Sequence, residues 1–224
     1  MFTARLMVIL TPVYLFVWSV RADLIWEQQS GKTNHLKTII LHLHGDKLRI
    51  DQPDESMAVI VDLNTHDSFT LITTNKTFLQ RTGAEVRAAM AKNIGAETNG
   101  MNLPPAPAVD TGNSEIVDGH AAEIFNWSGA AGLTEKLWVV RDFPQFEGIK
   151  TELAKLDRFN ETGPHRNAQP LLSQLPGMVV KSEAVSRGRI ILTRMNSIKI
   201  EPQAARLFEL PADYTPWSPP AKKP

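Results

Sequence analysis

The chain has 224 residues, and its 24 basic and 24 acidic side chains balance to no formal net charge, so nothing in its charge points to a nucleic acid or another polyanion as partner. It contains no cysteine, which excludes a disulfide framework, thiolate metal sites, a cysteine nucleophile and a lipid carried on a cysteine. Hydrophobic residues make up 42% of it, which suits a packed core and exceeds what disordered chains carry.

Met1–Arg5 bears one positive charge, Leu6–Val20 is almost wholly apolar, and Val20-Arg21-Ala22 closes the segment with small or medium residues where a signal peptidase reads. This order is that of a secretory signal peptide, with cleavage expected after Ala22. A membrane span needs roughly 20 apolar residues, whereas this run is broken by Pro12 and stopped by Arg21. The expected organisation is a signal peptide over 1–22, a single domain over 23–214 and a disordered Pro-rich tail over 215–224. The mature chain is expected to be exported, periplasmic or secreted, without a lipid anchor or a later spanning segment.

The first half reads as a β-meander. Leu36–His44 places Lys37, Ile39, Leu41 and Leu43 on one face and Leu36, Thr38, Ile40, His42 and His44 on the other, because side chains alternate along a strand. Gly45-Asp46 is a turn signal, and Lys47–Asp51 alternates again, with Leu48 and Ile50 apolar. Met57–Asp62 is a continuous apolar run, expected as a central strand. Ser68–Thr74 pairs back on it, and Phe78–Gln80 adds a short strand.

The pattern then changes. Ala84–Asn93 is rich in strong helix formers, with Val86, Ala89, Met90 and Ile94 at helical spacing and Gly95 to end it. Gly100–Asp110, with Pro104, Pro105 and Pro107, is expected as an extended surface loop. Ser114–Val117 and His120–Trp127 flank Asp118-Gly119, a strong hairpin signal, and Glu135–Asp142 follows until Pro144. In Phe146–Phe159 the residues Phe146, Ile149, Leu153, Leu156 and Phe159 fall about a turn apart and form one apolar stripe. Gly163-Pro164 ends that helix. Met178–Val185 and Arg189–Ile200 are the last strands, and Ala204–Tyr214 leads into the tail. The expected fold class is therefore α+β: a strongly curved antiparallel sheet whose concave, apolar face is covered by two or more helices.

Catalytic patterns are missing. There is no Gly-x-Ser-x-Gly, Ser-x-x-Lys or His-Glu-x-x-His arrangement, and Gly31-Lys32-Thr33 lacks the first glycine of a phosphate loop, since that position holds Trp26. His42 and His44 share a strand face with Asp46 nearby, a geometry able to aim two imidazoles at zinc or copper. No third ligand is identifiable, and the pair reads as part of a solvated face. His35, His66, His120 and His165 fall near turns and are expected at the surface. Asp54-Glu55 lies in a turn without the burial that acid–base work requires. Asn75, Asn126 and Asn160 sit in glycosylation sequons. Trp26, Trp127, Trp138 and Trp217 read as fillers of cores and sheet edges. The chain is expected to be no enzyme, with no metal and no cofactor.

Several segments resemble a known family. Gly45-Asp46-Lys47-Leu48-Arg49-Ile50-Asp51, Ile60-Val61-Asp62-Leu63-Asn64 with Phe69-Thr70-Leu71-Ile72, Val117-Asp118-Gly119-His120 with Ala122-Glu123-Ile124, Leu137-Trp138-Val139-Val140 and Leu207-Phe208-Glu209-Leu210-Pro211-Ala212-Asp213-Tyr214 occur in its order. On these residues the chain resembles the domain-of-unknown-function family numbered 4412, grouped with outer-membrane lipoprotein-sorting carrier proteins, over about residues 35 to 214. The resemblance implies a half-open antiparallel barrel with helices across its concave face. In the carriers that face holds acyl chains, and the family brings no catalytic motif.

The leading expectation is a non-enzymatic exported protein that binds a hydrophobic ligand, such as an acyl chain, through Ile39, Leu41, Leu43, Leu48 and Ile50 of the sheet and Ile149 and Leu153 of the covering helix. Its candidate partners are a lipid or an acylated protein. The alternative is an envelope protein–protein interaction module with a filled core and no ligand. The sequence is silent on oligomeric state.

Overall fold

Period-two alternation dominates the chain, and its physical outcome is one sheet of twelve strands. The computed structural model describes residues 23–86, 88, 106–129, 132–162, 169–186 and 188–218. In chain order the strands are β1 (Leu24–Lys32), β2 (His35–His44), β3 (Lys47–Gln52), β4 (Met57–Asp62), β5 (Ser68–Ile72), β6 (Thr77–Arg81), β7 (Val109–Val117), β8 (His120–Ser128), β9 (Thr134–Val140), β10 (Met178–Ser186), β11 (Arg189–Ile200) and β12 (Thr215–Pro216), with helix α1 (Phe146–Thr162) between β9 and β10. Across the sheet they lie in the order β12-β6-β5-β4-β3-β2-β1-β11-β10-β9-β8-β7. Two meanders, β1–β6 and β7–β11, thus meet where β1 pairs with β11.

The register explains where the core forms. Leu24 lies opposite Leu43 and Trp26 opposite Leu41, Leu43 opposite Leu48 and Leu41 opposite Ile50, and Leu48 and Ile50 opposite Val61 and Val59. Because cross-strand partners share a face, these residues make one apolar surface. Helix α1 lies on it, burying Phe146, Ile149, Leu153 and Leu156 against Leu24, Leu43 and Leu48. Each fully buried side chain of this size contributes about 1.5–3 kcal/mol.

The opposite face is apolar over β4–β6, where Ala58, Ile60, Leu71 and Phe78 cluster, and among the described residues no α-helix packs in that cluster. The chain after β11 crosses it as a strap. A 3-10 turn, Ala205–Phe208, opens this crossing, Leu210 and Tyr214 pack on Ala58, Ile60, Leu71 and Phe78, and Thr215–Pro216 then pairs in parallel with Thr77–Phe78. Proline is tolerated there because β12 is an edge strand, where a missing N–H costs no ladder bond on the open side. Thr215 and Pro216 belong to the segment expected as a disordered tail; residues 219–224 lie outside the described residues.

The expected α+β class, with two or more helices over the sheet, is corrected. Among the described residues α1 is the one helix of seven or more residues, and the fold is mostly β. Of the helix expected over Ala84–Asn93, residues 83–86 and 88 are helical, begun by a capping box in which Glu85 N–H donates to Thr82 Oγ1 (3.2 Å) and Thr82 N–H donates to Glu85 Oε2 (2.7 Å); the rest lies outside the described residues. The physical reason for the correction is that irregular chain covers what helices were expected to cover. The strap does this on one face. On the other, Leu172 and Leu175 pack against Phe125, Trp127, Leu137 and Val139 of β8 and β9. No helix among the described residues is long and apolar enough to cross a membrane.

Candidate functional site

Along the face that carries α1, the sheet changes character from one end to the other. On β1 the side chains at alternate positions run Leu24, Trp26, Gln28, Ser30, apolar then polar. On β9 they run Val139, Leu137, Glu135. Helix α1 covers the apolar end tightly. Toward the polar end it leaves a cavity of about 470 Å3, bounded by Trp26, Leu41, Leu48 and Ile50 of the sheet, Leu156 and Phe159 of the helix, and Pro170 and Leu172 beyond it. Gln28, Glu135, Ser182 and Thr193 form its polar wall.

Two irregularities of the sheet flank this space. The β1–β11 register shifts between Glu27 and Gln28, and the β9–β10 register shifts between Val179 and Lys181. Such bulges bend a strand and raise its local twist. The far wall is pinned by Asp157 on α1, whose carboxylate accepts the backbone N–H groups of Leu172 (3.0 Å) and Ser173 (2.7 Å). Burial pushes the Asp157 carboxyl above the ordinary range, and the hydrogen bonds from Ser173 and Leu172 only partly offset it.

The polar wall is continuous. Ser182 lies opposite Thr193, Thr193 Oγ1 meets Ser30 Oγ at 3.0 Å, and Ser182 hydrogen-bonds the Glu135 carboxyl. Burial pushes that carboxyl up, and the Ser182 bond counters only part of the shift. Lys181 also lines the cavity, but its ammonium sits 3.8 Å from the centre of the Trp138 ring and 3.1 Å from Glu183. Trp26 is 8% exposed, and its Nε1–H has no hydrogen-bond partner.

Of the residues expected to bind ligand, Leu41, Leu48 and Ile50 line the cavity. Leu43, Ile149 and Leu153 lie beside it in the solid core, each 2% exposed or less. Ile39 shares the face of Leu41 and lies opposite Gln28, outside the cavity lining. Sequence reasoning missed Trp26, Gln28, Glu135, Ser182 and Thr193. The available signal was the apolar-to-polar change at alternate positions of β1 and β9.

His42 and His44 face away from the cavity, toward the strap. His42 lies between Gln203 Oε1 (2.7 Å from Nδ1) and Asp51 Oδ2 (3.2 Å from Nε2). His44 Nδ1 is 2.9 Å from the buried Asp23, and its ring stacks on Phe208 with centroids 5.3 Å apart. Among the described residues no group of three or more His, Cys, Asp or Glu is placed to hold a metal. His66, expected at the surface, is 6% exposed and packs against Phe159 with ring centroids 4.7 Å apart.

No family model matches the chain, the family numbered 4412 included, and no curated protein matches it. Solved structures similar to it include PNGF-II, with a TM-score of 0.42 at 12% identity over 87% of this chain and 30% of that one. A chain of the Pseudomonas aeruginosa MucA/MucB complex has a TM-score of 0.42 at 10% identity over 90% of this chain and 62% of that one. An uncharacterized conserved protein from Thermus thermophilus has a TM-score of 0.36 at 7% identity over 86% of this chain and 88% of that one. The chain therefore spans less than a third of PNGF-II and about three fifths of the MucA/MucB chain.

Proposed function

We propose that this chain is an exported, non-enzymatic binding protein that holds a hydrophobic chain between α1 and the sheet. The supporting observation is the cavity itself: about 470 Å3, apolar at its inner end, within the size of small-molecule sites, which run about 300–1,000 Å3. Leu41, Leu48, Ile50, Leu156 and Phe159 supply its apolar wall, and filling it removes their surface from water. Export rests on the charged start, apolar run and Ala22 exit of residues 1–22.

The test is native mass spectrometry of the chain purified without residues 1–22, together with displacement of a fluorescent fatty-acyl probe. A copurifying lipid or saturable displacement supports the reading. Neither lipid nor displacement removes it.

A second reading, a protein-interaction module, is favoured by β7. That strand ends the sheet with no neighbour beyond it among the described residues, and it exposes 63% of Val109 and 73% of Ile116. An open strand edge of this kind can take a partner strand. A proline at Ser114 would then abolish capture of a cross-linked envelope partner, and unchanged capture would remove the reading.

A further inference from the structure

We infer that the cavity selects a neutral amphiphile, a single acyl chain carrying an uncharged hydrogen-bonding head such as a monoacylglycerol, with the head on the Gln28–Thr193–Ser182–Glu135 wall and the tail under α1. This rests on the reading of the cavity as a ligand site and specifies what that site takes.

Direction comes from the gradient along the strands. Trp26, Leu41 and Leu48 line the inner end, while Gln28, Thr193, Ser182 and Glu135 stand together on the polar side. A purely apolar ligand would bury that wall without replacing its water, and buried polar groups left unpaired are costly. The ligand therefore carries polar atoms there.

Charge decides what the head is. An anionic head in a partly desolvated site needs a counter-cation. Lys181, the cation in the lining, is held over the Trp138 ring and against Glu183. Lys37, on the same face of β2 as Leu41, is paired with Glu55. The wall instead presents the Glu135 carboxyl, which repels a carboxylate or phosphate once ionised. Hydroxyl or amide heads meet Gln28, Thr193, Ser182 and Glu135 as both donors and acceptors without that cost.

The test is isothermal titration of the chain lacking residues 1–22 with a monoacylglycerol and with the fatty acid of the same length, at neutral pH and below their aggregation concentrations. The monoacylglycerol is expected to bind roughly tenfold more tightly, a difference of about 1.4 kcal/mol. Glu135→Gln is expected to shrink that ratio by improving the fatty acid, and Thr193→Val to weaken the monoacylglycerol alone. Equal or tighter binding of the fatty acid by the unaltered chain overturns the inference and leaves ligand binding standing, as does a ratio unmoved by Glu135→Gln. Binding of neither compound, with displacement of the fluorescent acyl probe also absent, removes the ligand site itself.

Discussion

The two faces of strands β1–β4 have the same alternating sequence and opposite fates. The strap face is closed by the chain's own C-terminal segment and is satisfied in detail. Asp23, 2% exposed, accepts the Gln203 N–H at 2.8 Å and meets His44, and Arg49 holds Asp51 at 2.8–3.0 Å while donating to the Leu207 carbonyl at 3.0 Å. The helix face is closed only over its apolar end. At Leu156 and Phe159 a cavity remains between helix and sheet, and Trp26 Nε1 is left without a partner. The irregular covering segment seals its face, whereas the helix on a bulged sheet leaves a gap. The strap face is therefore read as structural and the helix face as the site of binding.

Substitutions that attack each face in turn should separate these roles. The largest loss is expected from Phe208→Ala, which removes a ring 2% exposed and stacked on His44. Urea denaturation should show a cost of about 3–5 kcal/mol, with affinity for an acyl probe unchanged in the fraction that stays folded. Next comes Arg49→Met, which strips Asp51 of its guanidinium partner and is expected to cost about 1.5–3 kcal/mol.

The same variant should alter acid sensitivity. Burial raises the Asp51 carboxyl, but hydrogen bonds from His42 and Arg49 outweigh it and hold the group below its ordinary 3.8. A carboxyl depressed on folding stabilises the native state above 3.8, and that contribution disappears as pH falls through the folded value. Stability measured from neutral pH downward should therefore drop below pH 3.8 in the parent chain, and less steeply in Arg49→Met.

Smaller effects belong to the helix face. Asp157→Asn keeps an acceptor for one of the Leu172 and Ser173 N–H groups and turns an amine toward the other, so a cost of about 1–2 kcal/mol should come with faster release of a bound acyl probe. Smallest for stability is Ile50→Phe, which adds volume where space already exists and should change stability by less than about 1.5 kcal/mol. Its effect on binding should be the largest of all. If Ile50→Phe instead destabilises as Phe208→Ala does, the two faces are alike and the contrast fails.

How much of this was legible in the sequence differs by element. Strands β2–β4 and the helix stripe follow from alternation and helical spacing that each segment carries alone. Strand β1 does not: only Leu24 and Trp26 mark one of its faces before Gln28 and Ser30 take over, and it is held between β2, its neighbour in sequence, and β11, far away in sequence. The strap has no period at all, since Leu207, Phe208, Leu210 and Tyr214 sit wherever the underlying sheet offers a hollow. Leu41, Leu48 and Ile50 were legible as one face, but the polar wall was not. Glu135, Ser182, Thr193 and Gln28 come from four strands, and only register and the two bulges bring them together.

The most direct test follows methyl resonances of the leucines while a monoacylglycerol is added to the chain lacking residues 1–22. Leu41, Leu48, Leu156 and Leu172, which line the cavity, should shift saturably, while Leu71 beneath the strap and Leu210 within it stay in place. Shifts at Leu71 and Leu210, or no shifts at the cavity leucines, would contradict the assignment of binding to the helix face.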